Sequence, residues 1–173
     1  SLEDYCIGTG SNDSFCWWIE RGLQKLGYYS PGSSRSYLIY WSRNHDQYST
    51  HFKHAPFLSE ANNIEEAMSR LAGMISNLVN KEDTSKVDQN LGNGLIIKIL
   101  NSYYPEKYFP VNGKVALNNI LKLLGIKRKG LSPIQMNLKI QEFYEKKKEE
   151  YNLDMKNYEF MFFLFEEYDL KGD

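Results

Sequence analysis

The chain has 173 residues, 42% of them hydrophobic and 14% aromatic, enough to bury the core of one domain or of one domain with a helical extension. Its formal net charge of −1 excludes a uniformly basic nucleic-acid binder, so any surface that grips a polyanion must be local. Cys6 and Cys16 give neither a disulfide framework nor a CxxC zinc signature, and no run of about 18 apolar residues exists to span a membrane.

Residues 1–12 are rich in Gly, Ser and Asn and predict a flexible lead. Asp13 or Ser14 can cap a helix carrying Phe15, Trp18, Ile19, Gly22, Leu23 and Leu26 at helical spacing, with Gly27 as its stop. The loop Ser30-Pro31-Gly32-Ser33-Ser34 precedes Tyr37 to Trp41, whose aromatic and β-branched content predicts a strand. A weaker strand is expected over Tyr48 to Phe52, with His45-Asp46 near the intervening turn. Asn63 caps the next helix, and Glu65 and Glu66 sit in its first turn, where the helix dipole favours acids. Its apolar stripe runs from Ile64 through Leu71 to Leu78.

Lys81 to Asn90 reads as a polar linker. The segment from Gly92 to Gly125 then packs two amphipathic helices around a Tyr-Pro stop and the extended crossing Tyr108-Phe109-Pro110-Val111. Nothing in it looks catalytic; it reads as scaffold. Ser132 at the cap and Pro133 at the first helical position open a long helix to about Tyr151. A last helix, Tyr158 to Tyr168, is apolar on one side through Phe160, Met161, Phe163, Leu164 and Phe165. The tally predicts an α+β fold, predominantly helical, with five or six helices and a small two- to three-stranded antiparallel sheet. Residues 13–173 form a single recognition domain, divisible into a helix-and-sheet part over 13–80 and a helical part over 91–173.

Four constellations bear on function. Neighbouring residues on a helix point about 100° apart, so Trp17 falls off the apolar stripe that holds Trp18. Tyr40 and Trp41 point to opposite faces of a strand. One ring of each pair is therefore available to stack on a base or to line a pocket, the alternative being a second hydrophobic layer. The loop with Ser33, Ser34 and Arg35 offers backbone N–H groups, hydroxyls and a guanidinium to a phosphate, or is simply a turn. It lacks the GxxxxGK[ST] nucleotide signature. A basic stretch, Lys122, Lys127, Arg128 and Lys129, follows the second scaffold helix, with Lys98, Lys107 and Lys114 nearby in sequence. It can neutralise nucleic-acid phosphates or serve as a solvated face. His51 and His54 lie three apart, downstream of His45 and Asp46, without a defined third metal ligand. There is no GxSxG, no HExxH and no Cys beside a His, so no enzyme, metal or cofactor is expected.

Three stretches carry a resemblance. They are Phe15-Cys16-Trp17-Trp18-Ile19-Glu20 with Leu26-Gly27, Gly32-Ser33-Ser34 with Tyr37-Leu38-Ile39-Tyr40, and Gly94 to Leu100 followed by Tyr104-Pro105-Glu106-Lys107-Tyr108-Phe109-Pro110-Val111. Together they resemble the region ahead of the motor in McrB-like restriction proteins, where related patterns precede a GTP- or ATP-driven AAA module. The resemblance implies target recognition, often of modified or site-specific DNA, with a motor module in the same full-length chain and a separate nuclease subunit or domain. No Walker A Lys-Ser/Thr is present, so the motor is not in these residues. The chain begins Ser1-Leu2 without Met and is read as a fragment of a larger protein. Recognition folds in that family vary, so the DNA-binding surface is not carried over residue by residue.

The expectation is a non-catalytic, cytoplasmic DNA-recognition domain of a restriction or antiphage protein, with no membrane partner. Arg35, Lys122, Lys127, Arg128 and Lys129 would meet phosphate, beside Ser33 and Ser34, and Trp17, Tyr40 or Trp41 would meet a base. The alternatives are a protein-interaction module docking through Phe160, Phe163 and Phe165, and a small-molecule sensor with a pocket lined by Trp17 or Trp41.

Overall fold

Strong local signals set the longer helices. In the computed structural model, which describes residues 1–8, 12–51, 55–85, 87, 90–168 and 170, Asn63 accepts a hydrogen bond from the Glu66 amide and opens α4, Ile64–Lys81. Here α1 is Leu2–Tyr5, α2 is Phe15–Trp17 and α3 is Pro56–Ser59. The helices α5, Asn93–Tyr103, and α6, Lys114–Leu123, flank the extended crossing. Ser132 and Gln135 form a reciprocal capping box at the start of α7, Pro133–Tyr151, and α8 spans Asn157–Glu167. Strands β1, Ile39–Ser42, and β2, Gln47–Thr50, pair antiparallel with Trp41 opposite Tyr48 and Tyr40 opposite Ser49. The fold is α+β and mainly helical, with this two-stranded sheet.

Buried side chains from Tyr5 to Leu170 make one continuous core. Its centre is α5, where Leu95, Ile96, Ile97, Ile99 and Leu100 are all buried. This helix contacts α4 on one side and α7 on another, while α6 lies against α7. Buried amides hold the crossing. Asn137 donates from Nδ2 to the carbonyls of Phe109 at 2.6 Å and Val111 at 2.8 Å, and its Oδ1 accepts from the Phe109 amide at 3.0 Å. Asn101 donates to the Tyr108 carbonyl at 2.7 Å, and Asn157 to that of Pro105 at 2.7 Å. Extended backbone cannot satisfy its own polar groups, so side chains from α5, α7 and α8 do it.

Several expectations change. Where composition predicts a flexible lead, residues 2–5 form α1. The Tyr5 hydroxyl donates to the Tyr37 carbonyl at 2.8 Å, and the Cys6 thiol reaches the Ile39 carbonyl at 3.6 Å. The helix expected over 15–26 is three pieces: α2, a π turn at Trp18–Gly22 and a 3₁₀ turn at Gln24–Leu26. A π turn adds backbone per turn and shifts the phase of the side chains. Ile19 is buried, as its stripe position predicts, and so is Cys16, but Trp18 stands 42% exposed and Trp17 is half-buried, the reverse of the stripe assignment for the two indoles. The strand expected from Tyr37 begins two residues later, because Ser34–Tyr37 closes a 3₁₀ turn. The second strand ends at Thr50, and Phe52 and His54 lie outside the described residues.

Candidate functional site

Glycine at position 27 lets two distant segments meet. Its φ is 126°, and a Cβ there would lie 2.7 Å from the Pro110 carbonyl oxygen. Beside this contact, Asn112 donates to the Tyr28 carbonyl at 2.8 Å. The scaffold crossing thus anchors the loop that begins at Tyr28. The loop closes on itself: Ser36 Oγ donates to the Pro31 carbonyl at 2.8 Å, and Ser33 Oγ accepts from the Arg35 amide at 3.3 Å. Leu38, buried, ends the turn at φ 68°, an unusual conformation for a branched residue that costs about 1–3 kcal/mol and requires surrounding support. The His51 amide supplies part of that support, donating to the Leu38 carbonyl at 2.8 Å.

Past Leu38 the chain enters β1, and Ser33, Ser34, Arg35, Tyr40 and Trp41 come to line one cleft of about 600 Å³. Arg43 and His45, from the hairpin turn, line it too. Both guanidiniums are exposed and, among the described residues, neither makes an ion pair. Trp41 is half-buried, edge-on to Tyr48 at 4.9 Å between ring centroids, and packs beside Gly8, whose added Cβ would lie 3.3 Å from Trp41 Cδ1. Tyr40 is half-buried as well.

The floor is made by Cys16, Glu20 and Tyr37. The Tyr37 hydroxyl donates to Glu20 Oε2 at 3.2 Å, and Arg21 lies 3.6 Å from the other oxygen of Glu20. Burial pushes the Tyr37 phenol and the Cys16 thiol well above their usual ranges. Burial likewise pushes the Cys6 thiol up to about 12. Both thiols stay protonated at neutral pH and are poor nucleophiles.

Not every expected residue joins this cleft. Trp17 does not line it; its indole stands edge-on to Trp18 at 5.1 Å, and both rings cover Gly22, where a Cβ would fall 2.2 Å from Trp18 Cε3. Lys122, Lys127, Arg128 and Lys129 are exposed around the end of α6 and do not line it either; Arg128 donates to Asn118 Oδ1 at 2.9 Å. Lys98 is no surface cation. It is 1% exposed, and its ammonium donates to the carbonyls of Leu23 at 2.7 Å and Gly27 at 2.6 Å. Lys107 pairs with Glu82 at 2.7 Å. Among the described residues no three His, Cys, Asp or Glu side chains gather as a metal-binding group, and no helix is long and apolar enough to cross a membrane.

Sequence reasoning did not single out Arg43 or Glu20. Arg43 follows Trp41 by two residues and lies within reach of a strand-and-turn argument. No local signal announces that Ile7 and Gly8 complete the far wall. Comparison with protein-family models, with curated proteins and with solved structures finds no match.

Proposed function

We propose that this is a non-catalytic DNA-recognition domain of a cytoplasmic restriction or antiphage protein whose motor and nuclease lie elsewhere. The observation that carries the reading is the cleft where Arg35 and Arg43 stand with Tyr40 and Trp41. Among its described lining residues Glu20 is the sole carboxylate, and it is engaged by Tyr37. A chain of net charge −1 thus gathers cations beside uncovered ring surface. Guanidiniums suit phosphate oxygens, and a cleft of this size accepts a base taken out of the duplex. Phosphate contacts set affinity and the rings set selectivity. The resemblance to the region ahead of the McrB-like motor, carried partly by the Gly32-Ser33-Ser34 loop and Tyr40, supports the same reading. Lys122, Lys127, Arg128 and Lys129 contribute a separate contact to flanking backbone.

Anisotropy titration of a labelled duplex, with and without a modified base, tests it. The two arginines alone, neutralising two phosphates, predict at least roughly tenfold weaker binding between about 50 and about 200 mM salt, and each further phosphate met by the basic stretch after α6 steepens the fall. Arg35→Ala and Arg43→Ala weaken all duplexes by similar factors, whereas Trp41→Ala erodes the preference between them. Absent or salt-independent binding overturns the proposal.

One observation favours an assembly role as the second reading. Phe162 and Phe163 on α8 are 51% and 46% exposed. Phe160, by contrast, is half-buried and stacks on Tyr144 at 4.2 Å, and Phe165 is half-buried, so a docking face would centre on Phe162 and Phe163. Sedimentation with and without candidate partner subunits separates the two readings.

A further inference from the structure

The loop from Ser30 to Ser36 is a wall with two sides. One side bounds the cleft described above. The other bounds a second cleft of about 740 Å³, whose opposite wall is the start of α5 at Gly92, Gly94 and Leu95. Ser30, Ser33 and Arg35 line both spaces. Tyr29, in the second, meets Tyr37, in the first, edge-on at 6.3 Å between ring centroids, so the two floors are contiguous. Among the described residues no carboxylate lines the second cleft, while Arg35 and His51 both do.

Resting on the DNA reading of the first cleft, we propose that the two clefts take two successive nucleotides of an unpaired DNA strand. The phosphate linking them lies over Ser33 and Arg35. The sequence of chemistry along the protein is ring-lined space, hydroxyl and guanidinium, then a second space lined by Tyr29, Leu38, Leu91 and Leu95. Along a single strand it is base, phosphate, base. A linking phosphate carries one negative charge, which the shared guanidinium matches with paired N–H donors. Both volumes fall in the range of ligand sites, about 300–1,000 Å³. Reading a paired duplex needs an element that protrudes into a groove, and these two spaces are concave. The ligand class is therefore an unpaired dinucleotide step.

Calorimetric titration with thymidine 5′-monophosphate, the 5′-phosphorylated thymidine dinucleotide and the tetranucleotide tests this. The dinucleotide is expected to bind at least about tenfold tighter than the mononucleotide, about 1.4 kcal/mol, from one further base taken out of water. The third and fourth nucleotides add less than that step. Gly92 lines the second cleft, has φ −64°, and nothing lies within 4 Å of a Cβ added there, so Gly92→Leu adds bulk at that wall without strain. This variant is expected to bring the dinucleotide down to mononucleotide affinity and leave the mononucleotide unchanged. Gly94→Leu is an independent second block, since its Cβ would sit 3.5 Å from the Asn112 carbonyl oxygen and 3.7 Å from Tyr29 Cε2, ordinary contacts. Equal affinity for mono- and dinucleotide overturns the two-site inference and leaves the first cleft standing. So does a loss in the Leu variants that is the same for both ligands. No binding of any of the three overturns this inference, and if the labelled duplex also fails to bind, the DNA reading goes with it.

Discussion

Lys98 holds a charge inside the protein with, among the described residues, no carboxylate paired to it, and its ammonium donates to the carbonyls of Leu23 and Gly27. Burial lowers its ammonium to about 8 from an ordinary 10.5, so the folded state releases this proton before the unfolded state does. Between those values the unfolded chain binds more protons, and this group's contribution to stability rises with pH. Cys6, Cys16 and Tyr37 act in the opposite sense at higher pH, because their folded forms resist ionisation. A comparison with Lys98→Met isolates the lysine. Denaturant melts should show the parent gaining stability relative to the variant from pH 8 towards 10, and a parallel pair of curves contradicts the assignment. Lys98→Met is also expected to be less stable at neutral pH, because the buried Gly27 carbonyl and the part-buried Leu23 carbonyl lose their donor.

At the scale of elements, the crossing between α5 and α6 depends on α7 through Asn137, which satisfies three backbone groups. Asn137→Ala leaves the Phe109 amide and the Val111 carbonyl without this partner, while the Phe109 carbonyl keeps the Val111 amide at 2.8 Å, and a loss of about 2–3 kcal/mol is expected in chemical denaturation. This dependence was not legible from the sequence, although the helices were. Asn63, Ser132-Pro133 and Gly125 each mark a terminus through local chemistry, and periods of 3.6 mark the buried faces of α4 and α6. The break after Trp17 was not legible, because the two indoles and Gly22 settle the π turn by packing against one another. Leu38 likewise takes a positive φ that its own side chain disfavours. Of the candidate site, the part within one short stretch, Ser33 to Trp41, was readable as a cluster. Trp17 required the true helical phase, and Lys98 required contacts from 71 and 75 residues away.

For the molecule as a whole, the first eight residues finish the cleft. Tyr5 ties to Tyr37 and stacks on Phe15 at 5.6 Å, so it covers the floor on which Cys16 lies. Tyr5→Ala is expected to cost about 3 kcal/mol, as for other large buried aromatics, and to speed the reaction of Cys16 with a thiol reagent. Unchanged denaturation and thiol kinetics count against that role.

The ties that assemble the cleft region span long stretches of chain: 32 residues from Tyr5 to Tyr37, 71 and 75 for Lys98, and 84 from Asn112 to Tyr28. Those that hold the helical crossing to α5 and α7 span 7 to 28. Closing a longer loop sacrifices more chain entropy and slows contact formation. On that argument the helical half is expected to condense early, and the half that carries the cleft to be the last part to acquire native order and the first to lose it.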